Sequence, residues 1–426
     1  MKLEKNKLFK TAAVILGLSL LFMGCDDGNS SSDSEDNSND DSTGEVIDGI
    51  DTSTGYAENY VATGDEMTLD FDSVTWTEVY CDTASELTSA LSSASAGDKI
   101  IIAAGTYTDT FKLEAGGSQN SPIWIVGEDS TNMPVLDGDD YNNNTVLAID
   151  GGDVSGISYV YVQDIKVTNG RTGISMDQAD YITIDSVEVY DVGQAGIHVR
   201  DESEYNIIKD STVSNTGLYN VKYGEAIYIG SDNTKWTANG GSYDPACDYV
   251  QILNNTLGPG VTAEHIDVKE GSSYAYIIGN TFDASGMIDI INGGLSFIDF
   301  KGNYAECAYN TGDQNYNEYF ENAFEINDKW TGWGNYNDIH NNSITFNEEY
   351  YNSSSTDVTL DLALGSDGVE STVTTTDSID RDQWVVECND QSSYDGTPTG
   401  NVVSSNTRDP EDSDRMYNSS DRLTEY

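Results

Sequence analysis

The chain has 426 residues, of which 37% are hydrophobic, and its formal net charge is −55 at pH 7. So acidic a chain repels phosphate, which argues against nucleic-acid binding. The length allows one large domain or two ordinary ones, each with a packed core.

Residues 1–25 have the pattern of a lipoprotein-type secretion signal. Four lysines precede the apolar run Ala12 to Met23, which is too short and wrongly flanked for a membrane-spanning helix. The run ends at Gly24-Cys25, and a small residue before a lone cysteine resembles a bacterial lipobox, although Phe22 departs from the usual aliphatic residue. The resemblance implies a lipid on Cys25 as the only membrane attachment. We expect an extracytoplasmic protein, anchored to a bacterial membrane in the periplasm or at the cell surface, or else secreted.

Residues 26–54 consist almost wholly of Ser, Asp, Asn and Gly. Such a segment buries too little apolar surface to offset its ordering entropy, so we predict a disordered tether. Four further cysteines lack CxxC spacing, which argues against zinc and allows one or two disulfides, with Cys307 and Cys388 as a candidate pair.

From about residue 85 the chain alternates two kinds of short β-branched or aromatic run. The first series comprises Tyr161-Val162, Tyr181-Ile182, Asn206-Ile207, Tyr249-Val250, Tyr276-Ile277, Phe297-Ile298 and Asp338-Ile339. The second comprises Gly173-Ile174, Gly196-Ile197, Ala226-Ile227, His265-Ile266, Ile288-Asp289 and Ala323-Phe324. Asn-rich turns follow the first series, and helical periodicity is scarce.

This alternation predicts an all-β fold, a right-handed parallel β-helix, over residues 55–426. The segment Ala84 to Ala94 is a candidate capping helix, and the final coils and cap begin at about residue 350. A β-sandwich, the competing fold, would show hairpin turns and strands patterned for two sheets. We expect a single catalytic domain and a monomer.

Superposing the coils on the second-series isoleucines predicts which side chains share the outer face. Since side chains alternate across a strand, the residue after each isoleucine faces outward. One outward column is then Ser175, His198, Tyr228 and Asp267, and a second is Asp177, Arg200, Gly230 and Lys269. Glu225 and Glu264 precede their isoleucines by two residues, so they join this face only if they lie at the bend that enters the strand.

Basic residues concentrate near this face. Seven of the fifteen Lys and Arg residues after the signal lie between positions 166 and 269. The coils that end at Ile227 and Ile266 are also the longest in the solenoid, as expected when insertions build a cleft. Cations gathered in an acidic chain indicate a bound anion.

The constellation suits β-elimination in an acidic, uronate-containing polysaccharide. That reaction needs neutralisation of the substrate carboxylate, removal of the neighbouring proton and protonation of the leaving oxygen. Lys269 or Tyr228 is the candidate base. Tyr228 is also a natural proton donor, and it becomes a base if Arg200 and Lys269 lower its pKa. His198 completes the candidate catalytic set.

Glu225, Glu264 and Asp267 are candidate ligands for Ca²⁺. This hard cation takes carboxylate oxygens and would itself neutralise the uronate. In the alternative interpretation these acids only orient Lys269, keep it charged and make it unsuitable as a base.

Three further residues are candidate substrate contacts. Lys222 adds a cation near the cleft, and Trp330 and Trp333 lie on a late coil where their rings would stack on sugars at an outer subsite. The alternative for the two tryptophans is aromatic packing beneath a loop.

A family resemblance rests on two short motifs. The segment Glu264 to Lys269, followed by Gly279-Asn280-Thr281, is similar to the Glu-x-Ile-x-x-Lys coil and the Gly-Asn-Thr of the chondroitinase B and alginate lyase group of β-helix polysaccharide lyases. Ala96 to Tyr107 looks like that group's first coils. The resemblance implies a calcium ligand in Glu264 and a base in Lys269.

The chain departs from that group in one motif. The group places Arg-His-Gly one coil after the lysine, whereas Ile290 to Gly294 reads Ile-Ile-Asn-Gly-Gly. Tyr228 therefore takes the proton donor's place. A Tyr and Lys pair on neighbouring coils resembles polymannuronate lyases, which favours alginate as substrate, with pectate as the alternative.

Two other functions fit the same fold. A β-helix can serve as a surface-anchored carbohydrate-binding or adhesive protein without chemistry. It can also carry a glycoside hydrolase, which needs close carboxylates and no essential lysine.

Overall fold

The computed structural model describes residues 71–152, 156–288, 296–317, 319–347 and 401–409, and the backbone of several strands outside these ranges. The predicted signal and Cys25 lie outside the described residues. The chain divides into two compact units, residues 1–59 and 60–426. In the first unit, strands β1 (Val46–Ile47) and β2 (Ile50–Asp51) form an antiparallel pair, which the tether prediction did not include.

Each coil of the second unit passes through three parallel sheets in turn. The first sheet contains β3 (Thr77–Cys81), β4 (Asp98–Ile102), β7 (Ile123–Gly127), β10 (Ile157–Gln163), β13 (Ala179–Asp185), β16 (Ile207–Lys209), β19 (Gln251–Leu253), β22 (Tyr276–Ile278), β25 (Glu306–Ala308), β28 (Asp338–His340), β33 (Asn401–Ser404) and β36 (Leu423–Glu425). The second contains β5 (Thr106–Thr108), β8 (Val135–Asp137), β11 (Lys166–Thr168), β14 (Glu188–Tyr190), β17 (Thr212–Ser214), β20 (Thr256–Leu257), β23 (Thr281–Asp283), β26 (Thr311–Asp313), β29 (Ser343–Thr345) and β34 (Thr407–Asp409). The third contains β6 (Phe111–Leu113), β9 (Leu147–Asp150), β12 (Ile174–Asp177), β15 (Ile197–Arg200), β18 (Ile227–Ile229), β21 (Ile266–Val268), β24 (Ser296–Phe300), β27 (Asn322–Asn327), β32 (Val386–Asn389) and β35 (Tyr417–Asn418).

This architecture confirms the predicted parallel β-helix. Strands β30 (Val358–Ala363) and β31 (Glu370–Thr375) form an antiparallel hairpin, and β32 to β36 continue the three sheets, so coils do extend beyond residue 350. Among the described residues no helix is long and apolar enough to cross a lipid bilayer.

The isoleucines used to superpose the coils face the core. Ile174, Ile197, Ile227 and Ile266 are fully buried and pair in register along the third sheet. Stacking β-branched side chains at one repeated position fills the interior and fixes the register, because a one-residue slip would turn each of them to solvent.

The assignment of two runs to their series was wrong. Phe297-Ile298 belongs to β24 in the third sheet, where Ile298 pairs with Ile266. Ile288 lies outside any strand, and the first sheet instead receives β25, which the sequence analysis missed. The coil after β21 has a long connection before β24. Assigning the runs alternately to the two series therefore fails from this coil onward.

The predicted capping helix is present as α1 (Ala84–Ser92). Thr83 caps it by accepting a hydrogen bond from the Glu86 amide, and the Glu86 carboxylate accepts one from the Thr83 hydroxyl. Its buried Leu87 and Leu91 cover the open end of the core. The described residues also contain four short 3₁₀ helices, Phe71–Ser73, Val221–Tyr223, Asn233–Lys235 and Thr237–Asn239.

An asparagine ladder ties the turns between the first and second sheets. Each side-chain amide donates to the side-chain oxygen of the next member at 2.9 to 3.0 Å. The members are Asn255, Asn280, Asn310, Asn342 and Asn406, all buried. Because each asparagine side chain provides a hydrogen-bond partner for the next, the ladder holds consecutive coils at one strand spacing.

The cysteines do not support the expected disulfide. Cys81, Cys247 and Cys307 are buried and free. Cys307 lies in β25 of the first sheet, whereas Cys388 belongs to β32 of the third sheet. Two strands on different walls of the solenoid keep these cysteines apart, so the pairing of Cys307 with Cys388 is wrong.

Candidate active site

The outer face of the third sheet brings the predicted residues together. Tyr228 pairs in register with His198 on one side and with Asp267 on the other. The column continues through Asp299 and Glu325. Consecutive members lie about 4.8 Å apart, which is the spacing of neighbouring strands.

Lys269 follows β21 and is almost completely buried, with 7% of its surface exposed. Its Nζ lies 2.6 Å from Asp267 Oδ2 and 5.3 Å from the centre of the Tyr228 ring. Burial opposes the charge on Lys269, but the Asp267 carboxylate outweighs burial and raises the pKa of the ammonium group. In this resting arrangement Lys269 is therefore a cation, as the alternative sequence interpretation expected.

Tyr228 is a neutral phenol held between two neighbours. Its ring stacks on His198 with centroids 4.4 Å apart. Burial raises the pKa of Tyr228, although Lys269 acts in the opposite direction. The condition under which Tyr228 would act as a base, a pKa lowered by the nearby cations, is therefore not met, because desolvation of the phenolate outweighs their attraction. A protonated phenol suits the role of proton donor.

His198 is a neutral imidazole. Burial, and after it the charge of Arg200, lowers the pKa of His198 to about 3. Its Nε2 lies 3.1 Å from the Gly230 carbonyl oxygen and donates to it in the neutral form. This contact fixes the face that His198 presents to Tyr228.

Arg200 is held from two sides. Its guanidinium forms two hydrogen bonds to the Asp177 carboxylate, and its Cζ lies 4.8 Å from the centre of the Tyr243 ring. A guanidinium has five N–H donors. Donors beyond the two used by Asp177 are therefore left for an anionic ligand.

Three carboxylates converge beside this row. One carboxylate oxygen from each of Glu225, Glu264 and Asp267 lies within 4.8 Å of the other two. Both glutamates precede their strands by two residues, at the bend that the sequence analysis required. Glu225 Oε2 is buried and has no hydrogen-bond partner among the described residues.

The ionisation of these carboxylates differs. Burial, followed by the charges of Glu264 and Asp267, raises the pKa of Glu225 to about 8. Burial also raises the pKa of Glu264. Burial acts in the same direction on Asp267, but the ammonium groups of Lys269 and Lys301 outweigh it and lower that pKa. An oxygen-only set with an unsatisfied buried atom fits a hard divalent cation.

Comparison with known proteins gives the family of this site. A solved structure described as alginate lyase from Paenibacillus sp. str. FPU-7 shares 31% sequence identity with the chain at a TM-score of 0.67, covering 82% of this chain and 99% of that one. A second, described as pectate lyase Pel9A, shares 12% identity at a TM-score of 0.51, covering 79% and 80%. The family model for the Pel9A-like, right-handed β-helix region matches residues 72–230. No curated protein sequence matches the chain.

The chain belongs to the right-handed parallel β-helix polysaccharide lyases. The second comparison shows the fold alone. The match to the Paenibacillus enzyme spans nearly all of that chain, so the third sheet and its outer face lie within the shared architecture. The site described above is the candidate active site of this β-helix lyase family member.

A second buried lysine completes the site and was missed from the sequence. Lys301 Nζ lies 2.9 Å from Asp267 Oδ1 and 2.5 Å from Asp299 Oδ2. The segment Ile298 to Lys301 repeats the Ile-Asp-x-Lys pattern of Ile266 to Lys269. That repeat was the available signal. The coil after Lys269 therefore carries a cation, and Ile290 to Gly294, with which it was equated, lies outside the described residues.

The three predicted substrate contacts lie in connections on either side of the strands that carry the site. Lys222 is exposed on the 3₁₀ helix Val221–Tyr223, before β18. Trp330 and Trp333 follow β27, and Trp330 makes an edge contact with Trp236 at 6.4 Å between ring centroids. Trp330 thus contacts a second loop, the one that contains Trp236.

Gly230 separates Tyr228 from the start of a long loop and leaves room for Lys269. A Cβ at this position would lie 3.1 Å from Lys269 Cβ and 2.7 Å from Ser272 Oγ, and its φ is +85°. We expect Gly230→Ala to lower kcat by about tenfold or more, because it displaces Lys269.

Gly97→Ala, directly before β4 of the first sheet, is the matched control for Gly230→Ala. Its φ of +89° imposes similar backbone strain, but a Cβ there would keep ordinary distances of 3.8 and 3.9 Å to its nearest neighbours. Steady-state kinetics and melting temperatures of both variants separate strain from contact. Equal losses of kcat in the two variants would contradict a role for the space beside Lys269.

Proposed function

We propose that the protein cleaves a uronate polysaccharide, with alginate as the preferred substrate, by β-elimination. One observation carries this proposal: the ammonium group of Lys269 lies 5.3 Å from the ring of Tyr228, a partly buried phenol. The two groups stand on neighbouring strands of one outer face. The description of the 31% identical relative as an alginate lyase supports the choice of substrate.

In the proposed reaction Lys269 takes the proton next to the uronate carboxyl group, and Tyr228 donates its phenolic proton to the leaving glycosidic oxygen. The C–H electrons form the new C=C bond as the C–O bond breaks. Tyr228 enters in the protonated form that this step needs. Lys269 must first lose a proton, and its 2.6 Å contact with Asp267 opposes that loss.

Arg200 and Lys301 would bind the substrate carboxylate. They flank the pair from the coils before and after it. Neutralising the carboxylate makes the adjacent proton more acidic and stabilises the negative charge that develops in the transition state. Both cations are fixed by carboxylates, through Asp177 and Asp299, so little reorganisation is needed when substrate binds.

We propose Ca²⁺ at Glu225, Glu264 and Asp267, whose oxygens lie within reach of one ion. When bound, the ion would supply positive charge beside the uronate and compete with Lys269 for Asp267, which lowers the cost of deprotonating the lysine. The residues present fit this role because Glu225 otherwise keeps a buried oxygen without a hydrogen bond.

Calcium affinity should depend on pH through Glu225. Because its pKa is raised to about 8, a proton competes with the ion below that pH. We expect affinity to rise about tenfold per pH unit towards pH 8 and then level off, as measured by isothermal titration calorimetry.

The free energy of unfolding of the metal-free protein should also depend on pH through Glu225, but it should fall as the pH rises. A raised pKa stabilises the fold fully below the ordinary value of 4.5, and this contribution is lost as pH rises through about 8. Calcium should therefore raise the melting temperature more at pH 8 than at about pH 6. Glu225→Gln should remove that difference, and Glu188→Gln, in β14 of the second sheet, should keep it. Equal calcium effects in both variants would argue against the site.

The proposed function is tested by incubating the protein with alginate, pectate and glucuronan, with and without EDTA. Elimination creates an unsaturated product whose absorbance is followed near ~235 nm. Alginate should give the fastest increase, and EDTA should slow it. New reducing ends without absorbance would indicate hydrolysis, and binding without either signal would indicate a carbohydrate-binding protein.

A further inference from the structure

A long loop leaves the third sheet beside Lys269. The rim loop, residues 231–249, joins β18 to β19, whereas only six residues join β15 to β16 in the preceding coil. The loop folds on itself: the Trp236 indole donates to the Ser231 carbonyl at 2.8 Å, and the Asn239 side chain donates to the Asn233 carbonyl at 2.8 Å. It is thus a compact wall and needs an anchor on the solenoid.

Glu270, the residue after Lys269, is that anchor. It is fully buried, and its Oε1 accepts hydrogen bonds from the Asn233 backbone at 3.0 Å and from the Asn233 side chain at 2.8 Å. The Trp236 ring packs against Gly271, where a Cβ would lie only 2.8 Å from Trp236 Cζ2. Hydrogen bonds to a buried carboxylate are among the stronger ones, so this contact fixes the loop.

The anchored loop touches the cleft at two places. Tyr243 covers the guanidinium of Arg200, and the Asp244 amide donates to Asp201 at 2.8 Å. One side of Arg200 is therefore made by the rim loop and the other by Asp177.

The rim loop also reaches the tryptophan loop, residues 328–335. Asp232 pairs with Lys329 at 3.1 Å, and Trp236 meets Trp330 edge-on. Two strands, β21 and β24, lie between the strands from which these loops leave. The Gly334 amide attaches the tryptophan loop to the solenoid by donating a hydrogen bond to the Lys301 carbonyl at 3.1 Å. The two loops form one continuous wall beside Lys269 and Lys301.

We propose that Glu270 is a positioning residue that holds this wall against the substrate's flanking sugar units. Its carboxylate accepts two hydrogen bonds from Asn233. By fixing the rim loop in this way it holds Tyr243 against Arg200 and Trp236 against Trp330. Its role is positional, because Oε1 is occupied by the loop and Oε2 is buried away from solvent, without a hydrogen-bond partner among the described residues. The substrate class in this inference rests on the proposed function.

The test compares Glu270→Ala with Glu270→Gln. Alanine removes the acceptor for both Asn233 bonds, so KM for alginate should rise about tenfold or more while kcat stays within about threefold. Glutamine keeps an oxygen acceptor and should restore most of the wild-type KM. Asn233→Ala, which leaves Glu270 in place and loses only the side-chain bond, should give an intermediate KM and covers the case in which Glu270→Ala does not fold.

Hydrogen exchange, read by mass spectrometry, tests the anchor without reference to activity. Peptides from residues 231–249 should lose protection in Glu270→Ala and keep it in Glu270→Gln, whereas α1 should be unchanged in both. Unchanged exchange of the rim loop, or a fall in kcat with KM constant, would overturn the inference. Absence of lyase activity in the wild-type protein, with the exchange pattern as expected, would instead overturn the proposed function and leave the anchor standing.

Discussion

Lys269→Arg is expected to lose kcat by about 10²- to 10⁴-fold, as Lys269→Ala does, while KM changes little. Arginine keeps the positive charge beside Asp267 but stays protonated, so it fills an electrostatic role and fails as a base. In the wild-type protein only deprotonated Lys269 reacts, and its pKa is raised. Log kcat/KM should therefore increase with pH across the neutral range.

Lys166→Arg is the matched control for this substitution. Lys166 pairs with Glu188 on the second sheet and lies on another face of the solenoid. Its kinetics should be those of the wild type. Activity retained in Lys269→Arg would show that Lys269 acts by charge alone and that another group takes the proton.

Tyr228→Phe is expected to lower kcat by about 10²- to 10⁴-fold without unfolding the protein. The variant removes only the hydroxyl group and keeps the ring that stacks on His198 at 4.4 Å and lies beside Lys269. Since burial keeps the phenol protonated, its loss removes the proton donor to the leaving oxygen.

Tyr159→Phe provides the control for the tyrosine. Tyr159 stacks on Tyr181 with centroids 4.9 Å apart, outside the third sheet, so its hydroxyl should be dispensable for turnover. Activity is measured as the initial rate of absorbance increase and melting temperature by circular dichroism. A substrate with a good leaving group at the cleaved bond needs no proton donor and should restore the rate of Tyr228→Phe. If Tyr228→Phe loses no activity and the better leaving group gives it no advantage, Tyr228 is not part of the mechanism.

The repeated isoleucines made much of the site predictable. Ile197, Ile227 and Ile266 pair in the register inferred from the sequence, and that register placed His198, Tyr228 and Asp267 in one outward column. The inference works because side chains alternate across strands and each coil must bury the same face. It failed at the next coil, where the Ile-Asp-x-Lys repeat around Lys301 was overlooked in favour of regular alternation.

Charge states could not be read from the residue types. Asp267 keeps Lys269 protonated, and burial keeps Tyr228 protonated despite that neighbouring cation. Both outcomes depend on distances and desolvation, which differ between an exposed and a buried strand end. The wall of the cleft could not be predicted from the sequence either. Its hydrogen bond between Asn233, in an irregular loop, and Glu270 joins residues 37 positions apart.

A local repeat of period two was enough to predict the β-helix, its inward isoleucines and the outward column that contains Tyr228, and the Ile-Asp-x-Lys repeat also encoded Lys301. That the glutamates turn outward at the bends and that the rim loop closes over Arg200 became apparent only from the folded chain. These two features depend on where insertions fold back across neighbouring coils, and no periodic pattern encodes that path.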